Sequence, residues 1–256
     1  MAKNVSVVKD EVPATTEDYA DRYAGEGTRV DSEHTITPQV RILQGGSPQV
    51  KKASVAYVDG AAPGMIYLSS YFKPLVPGDV GIVFQPCLFQ APWDVSTPKS
   101  ENQLPTFVGR YDEPQPGWTK RRSDKGFVYY LTPEGNVANQ VHLHVGLVHI
   151  DDQVLPYAIR FAGTGLFISK QFNGLIGSRL TETGKPAARF TFTYRMKVKS
   201  QVNSFGEWGQ WSISADGKAT APHMDIGHEL AIAFRERRAT VEDAGDEAKG
   251  DDDGTM

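Results

Sequence analysis

From Thr37 onwards the apolar residues come in short alternating runs punctuated by glycine and proline, and that punctuation restricts the chain to a β-rich fold. The runs fall at 39–44, 53–58, 64–72, 80–90, 126–131, 138–150, 154–162, 188–200 and 208–214. β-Branched and aromatic residues fill them, and turn formers separate them. Only two stretches have helical spacing. Thr164 stands where an N-cap would open a helix over about 165–180, with Phe167, Phe172, Leu175, Ile176 and Leu180 on a partial apolar face. Gly174 and Gly177 oppose that helix by about 1 kcal/mol each relative to alanine. A second helix is expected over about 226–240, with Ile226, Leu230, Ala233 and Phe234 on one side. Its Arg235, Arg237 and Arg238 suit the negative end of a helix dipole. Strand–helix–strand alternation and internal repeats are absent, so the choice lies between a sandwich and a barrel. A closed or nearly closed all-β barrel of about five strands, elaborated by insertions and carrying one or two helices, fits best. Residues 91–125 hold five of the sixteen prolines and little periodicity, and are expected to leave the core as a long excursion.

Charge divides the chain into three. Residues 1–36 carry eight acids and four bases, and residues 241–256 carry seven acids and one base. The remaining 22 bases and 16 acids leave 37–240 at +6, hidden within an overall net charge of −4. The expected organisation is a flexible acidic arm (1–36), a folded basic body (37–240) and a disordered acidic tail (241–256), because the tail has too little apolar surface to fold. The tail acids are Glu242, Asp243, Asp246, Glu247, Asp251, Asp252 and Asp253. A basic body seeks polyanions, and a tethered acidic tail competes with them or recruits basic partners. A tail that only keeps the protein soluble is the plainer alternative.

No run approaches the roughly 18–20 apolar residues of a membrane helix, and the N-terminus lacks an apolar stretch of signal-peptide length. A cytosolic protein is expected, in the host cytoplasm if phage-encoded. The single cysteine, Cys87, rules out an internal disulfide and a cysteine zinc site, and reads as a buried small hydrophobe. There is no nucleophile elbow, phosphate-binding loop or dinucleotide fingerprint, which leans against an enzyme and against a cofactor. His142 and His144 lie two apart on an expected strand and so point the same way, with His223 and His228 able to approach from a distance. They are the sole support for a metal-dependent, cupin-like enzyme. The plainer reading puts both on an exposed or groove face, opposite Val141, Leu143, Val145 and Leu147.

Two basic features remain. In 189–199, Phe190, Phe192, Tyr194, Met196 and Val198 share the core face of a strand. Arg189, Thr191, Thr193, Arg195, Lys197 and Lys199 share the other, a ladder of cations with no acid among them. A phosphate-tracking surface and an ordinary solvated face are both open readings. The second feature is Lys120, Arg121, Arg122 and Lys125 just ahead of 127–130, where cations sit beside aromatics as single-stranded nucleic acid requires. Lys51, Lys52 and Lys73 join the phosphate candidates. Tyr67, Tyr71, Trp93, Trp208 and Trp211 are the candidate stacking rings, with Tyr67, Ser69 and Tyr71 on one face and Ile66, Leu68 and Phe72 buried.

Several segments resemble a family of bacteriophage single-stranded-DNA-binding proteins. They are 41–51 (RILQGGSPQVK), 62–67 (APGMIY), 80–87 (VGIVFQPC), 168–173 (ISKQFN) and 202–211 (VNSFGEWGQW). The resemblance spans roughly 38–240. It implies an OB-fold barrel that coats single strands without strong sequence preference in replication or recombination, and an acidic tail that docks replication and recombination proteins. Many tails of that family end on an aromatic, whereas this chain ends Gly254-Thr255-Met256. A β-rich phage structural or scaffolding protein, its basic face set against an acidic neighbour, is the alternative from a different class.

Overall fold

A computed structural model describes residues 36–69, 74–99, 105–123, 126–150, 153–203, 206–236 and 240–241. The strands are β1 (Ile36–Thr37), β2 (Gln39–Ile42), β3 (Ile66–Leu68), β4 (Leu75–Val76), β5 (Ile82–Gln90), β6 (Trp93–Ser96) and β7 (Phe107–Tyr111). They continue as β8 (Thr119–Arg122), β9 (Val128–Leu131), β10 (Val137–Ile150), β11 (Gln153–Ala162), β12 (Phe192–Asn203), β13 (Gly206–Lys218) and β14 (Thr240–Val241). Two helices, α1 (Gly165–Gly177) and α2 (Ala221–Arg235), complete the set. The fold is mostly β, as the sequence pattern requires. The flexible arm and the disordered tail lie outside the described residues apart from Ile36 and Val241.

The main sheet runs β13-β12-β5-β10-β11-β2-β3-β4, antiparallel except where β2 lies parallel to β11. It curls until its far ends meet. The Gln44 side chain acts there as a surrogate peptide: its Nε2 donates to Gly209 O at 3.0 Å, and Gly209 N donates to its Oε1 at 2.9 Å. Val198 N donates to Gly78 O at 2.8 Å beside it. A Cβ at Gly209 would lie 2.7 Å from Ile42 Cγ2, so glycine is what lets the two edges close. Inside the curl, Phe84, Val148, Tyr157, Ile159, Tyr194 and Met196 form the largest core, and α1 adds Phe172 and Ile176 to it. On the outer face α2 lays Ala231 and Phe234 over Val141, Leu143, Val145 and Leu147 of β10 and over Cys87. Burial pushes the Cys87 thiol up to about 12, consistent with an inert small hydrophobe.

Three local expectations change. Residues 53–58 form successive turns rather than a strand, because their backbone N–H groups bond locally (Tyr57 to Ser54 O, Val58 to Gln49 O) and Ser54 Oγ accepts from Ala56 N. The 91–125 stretch is no structureless excursion. Its β6, β7 and β8 join β9 and the first half of β10 in a second antiparallel sheet, ordered β7-β6-β10-β9-β8. The second helix starts five residues earlier than its apolar pattern suggested, after Thr220 and with Pro222 in its first turn, where a missing N–H costs nothing. Its buried positions are therefore Gly227, Ala231 and Phe234, and Ile226 is exposed. Gly227 is needed there: a Cβ would come within 2.9 Å of Phe190 and 3.1 Å of the Cys87 sulfur.

β1 and β14 pair in parallel, Ile36 with Thr240 and Thr37 with Val241. Arm and tail thus join the body side by side, and Val241 is buried against Phe234 and Val145. A chain ending after Val241 should keep wild-type stability. Ending it after Ala239 should cost about 1.5–3 kcal/mol in urea unfolding through loss of the buried valine. Equal midpoints for the two truncations would show that the clamp contributes nothing.

Candidate nucleic-acid interface

The β12–β13 hairpin shows how register modifies a one-strand reading. Arg195 pairs with Ser214, Lys197 with Ser212, Lys199 with Gln210 and Gln201 with Trp208, so these residues share the outward face. The acid missing from β12 is supplied by β13: Asp216 Oδ1 takes Arg195 at 3.1 Å, and Thr193 Oγ1 donates to Asp216 Oδ2 at 3.3 Å. Arg189 leaves the ladder altogether, since 189–191 form a 3-10 turn before the strand begins. Lys197 and Lys199 stay exposed and, among the described residues, form no ion pair. Half-buried Trp208 borders them. Trp211 turns inward against the core.

The second sheet carries the richer surface. Trp93, Tyr130, Trp118 and Tyr111 form a continuous chain of rings, with centroids 4.9 Å (Trp93–Tyr130), 6.3 Å (Trp118–Tyr130) and 5.3 Å (Tyr111–Trp118) apart. The edge-to-face contacts Trp93–Tyr130 and Tyr111–Trp118 fix ring orientation as well as burying area. Trp93 anchors the chain in the interior and is not a free stacking ring. Trp118 is half-buried and Tyr111 exposed at the other end. β8 is the outer strand: Lys120 lies opposite Tyr130 and Arg122 opposite Val128, so both cations fall on the Tyr130 face. Arg121, opposite Tyr129, points the other way. All three cations are exposed and unpaired among the described residues. Tyr130 entered the sequence reading only as part of 127–130, and Tyr111 and Trp118 escaped it, because only the pairing of β6 to β10 brings the three together. Their aromatic density within 107–130 was the available signal.

A third feature was not foreseen. Where β13 crosses β2, Arg41, Arg160, Gln39, Gln44 and Trp211 line a recess of about 350 Å³ with no acid in its wall. Asp94, nearly buried, accepts from Arg110 Nε at 2.7 Å and from Arg160 Nε at 2.9 Å. One carboxylate thus serves two guanidiniums, and Arg160 also lines the recess.

The remaining candidates are scattered. Tyr67 is buried, because both faces of the short β3 are covered; it cannot stack a base. Lys51 and Lys52 are exposed on the turns after β2. Tyr71, Lys73, Lys125 and the tail acids Glu242, Asp243, Asp246, Glu247, Asp251, Asp252 and Asp253 lie outside the described residues.

His142 and His144 do not face a groove. α1 covers them, and Ser169 Oγ sits 2.8 Å from His142 Nδ1 and 2.7 Å from His144 Nε2. Arg189 Nη2 donates toward His144 Nδ1 at 3.4 Å. The order of donors follows: His144 Nε2–H to Ser169, then the Ser169 hydroxyl to His142 Nδ1. Both imidazoles are engaged with one hydroxyl rather than converging on an open position. Among the described residues no three His, Cys, Asp or Glu side chains are placed to hold a metal ion. Burial, then Arg189 and His142, hold His144 well below the usual histidine range; burial, then Lys170, lower His142. His149 is lowered by burial and then by His223, with Asp216 opposing.

These shifts fix a sign. Below the ordinary histidine pKa of about 6.5 the unfolded chain takes up protons that the folded chain refuses, so stability present at pH 7–8 falls as pH drops. Each histidine contributes up to about 1.4 kcal/mol per pH unit until its lowered folded pKa is reached. His144→Phe should lower stability at pH 7.5 yet flatten the decline toward pH 5.5 in pH-dependent urea unfolding. An unchanged slope would remove His144 from the account.

Among comparisons with known proteins, the sequence model of a family described as Pam3 phage gp34-like protein matches residues 4–240. No curated protein and no solved structure matches. The match runs through both sheets, both helices and the start of the β1–β14 clamp, and ends where the acidic tail begins. With nearly its whole length covered, the chain belongs to the Pam3 phage gp34-like family.

Proposed function

We propose that this phage protein binds single-stranded DNA with little sequence preference, using the β7–β9 face of the second sheet as its principal contact. The supporting observation is one juxtaposition: the Tyr111–Trp118–Tyr130 rings share a face with Lys120 and Arg122, unpaired cations of an exposed outer strand. Ring faces offer stacking to unpaired bases of any identity, and flanking cations take the phosphates between them. Duplex DNA keeps its bases stacked and has nothing to give such rings. Lys197 and Lys199 on the β12–β13 hairpin and the Arg41–Arg160 recess offer separate anion contacts. Exposed Tyr111 and the accessible faces of half-buried Trp118 and Tyr130 each contribute about 1–3 kcal/mol per stacked base. The acidic tail is the natural competitor for this surface and the natural handle for basic replication or recombination proteins.

Quenching of tryptophan fluorescence by an oligo(dT), followed against salt, tests the reading. Lys120→Gln with Arg122→Gln should reduce the slope of log affinity against log salt by up to about 1.4, since each phosphate contact on a single strand contributes about 0.7. Tyr111→Leu should weaken binding with the slope unchanged. No quenching at low salt, or equal affinity for duplex, would defeat the proposal. Concentration-dependent assembly without DNA binding would favour the structural-protein alternative.

A further inference from the structure

The curled sheet closes on itself through a side chain, not through a ladder. β13 pairs with β12 alone and crosses β2 without joining it, and the Gln44 amide, spent on both polar backbone atoms of Gly209, is the clasp. A crossing without a ladder leaves space. Here that space is the recess of about 350 Å³ walled by Arg41 and Ile42 of β2, Arg160 of β11 and Trp211 of β13. Small-molecule sites span about 300–1,000 Å³, so the recess suits one compact group and not a length of polymer.

The wall selects the ligand by charge and by shape. Arg41 and Arg160 are the charged residues in it, and both are positive. Asp94, which binds Arg160, is buried and already divided between Arg110 and Arg160. Guanidinium forks bind phosphate oxygens in pairs. A phosphate monoester carries about −1.5 to −2 at pH 7 and so matches two guanidiniums. The diester of an internal backbone link carries a single charge and matches them less well. Trp211 supplies the second element: it packs partly on the core, stays half-buried, and lines the same recess. An accessible indole stacks on a base of any identity. Trp211 also lines an adjoining recess of about 240 Å³ with Lys199, Gln201 and Gln210, again with no acid in its wall. Amides there can meet the donors and acceptors on the edge of a base.

We propose that the seam recess binds a nucleoside monophosphate unit, its phosphate monoester on Arg41 and Arg160 and its base against Trp211. The unit is a free nucleotide or the phosphorylated end of a strand, which present the same chemistry. This goes beyond the coating of single strands: the β7–β9 face takes internal stretches through Lys120 and Arg122, whereas the recess takes one end group. The two share no residue, so each stands or falls separately.

The test titrates thymidine 5′-monophosphate into the full chain by calorimetry, at ionic strength held constant with chloride. Its methyl ester, thymidine and inorganic phosphate are the comparison ligands. The monophosphate should bind and thymidine should not. The methyl ester, one charge poorer, should bind roughly tenfold more weakly, and so should the monophosphate to Arg41→Gln, each losing about one charge-assisted bond. Arg41→Lys, which keeps the charge and loses the fork, should fall between, and ligand-free unfolding midpoints show that both variants fold. Inorganic phosphate, with nothing to lay against Trp211, should bind more weakly than the nucleotide. No binding of the monophosphate, equal affinity for the methyl ester or for inorganic phosphate, or an affinity untouched in Arg41→Gln would overturn the site. A second arm compares oligo(dT) carrying a 5′-phosphate with oligo(dT) carrying a 5′-hydroxyl. Tighter binding of the phosphorylated strand, the gain lost in Arg41→Gln, identifies a strand end. Equal binding of the two strands, with the mononucleotide still bound, identifies a free nucleotide. Failure of both strands to bind bears on the DNA face alone, and the mononucleotide titration then decides the recess.

Discussion

Everything in this fold hangs on β10, and β10 depends on one tight crossing with β5. The fourteen residues of Val137–Ile150 belong to both sheets, the first few to the second sheet and the rest to the main one. At the middle, Gly146 lies opposite Pro86, where the register slips and Cys87 is left as the extra residue of a bulge. A Cβ at Gly146 would meet Gln85 O at 2.2 Å and the Phe84 ring at 2.6 Å. Proline in a central strand normally forfeits a ladder bond, and the bulge is where that loss is tolerated. β10 passes from one sheet to the other between Gln140 and Val141, where its partners change from β6 and β9 to β11 and then β5, so the aromatic face and the curled barrel are two ends of a single strand.

From that spine, both faces of the barrel had to be covered, and the cover explains the chemistry. α2 takes the apolar side of β10, as alternation demands. α1 takes the side bearing His142 and His144, and Ser169 reconciles two imidazoles with burial by bonding both. Gln85, fully buried, plays a comparable part on the outer side: its Nε2 donates to Phe190 O at 2.7 Å and His223 O at 3.0 Å while its Oε1 meets His149 Nε2 at 3.2 Å. Buried polar groups that are fully met in this way specify one packing.

Periodicity within one strand was legible from sequence; what lies across from it was not. Val141, Leu143, Val145 and Leu147 are buried as alternation said, and so are Tyr194 and Met196. The same rule misplaced His142 and His144, because it cannot see that a helix some twenty residues later covers their face. Tyr67 failed for a similar reason. The cation ladder of β12 looked unopposed until β13 brought Asp216 alongside Arg195. Trp93 and Trp118 are alike in sequence, and only the stacking order of the rings makes one an anchor and the other a surface. The Arg41–Arg160 recess joins residues far apart in the chain, which no local pattern records.

The body's surplus of positive charge is thus unevenly spent. Arg110, Arg160 and Arg195 are tied to carboxylates, whereas Lys120, Arg122, Lys197 and Lys199 form no ion pair among the described residues, and the first two of these share a face with Tyr130. Amide hydrogen exchange of the full chain with and without oligo(dT) tests that assignment most directly. The account predicts slowed exchange concentrated in Phe107–Tyr111, Thr119–Arg122 and Val128–Leu131, with α2 unaffected. Unaltered exchange in those three strands under saturating DNA, or protection confined to α2 and its flanks, would contradict it.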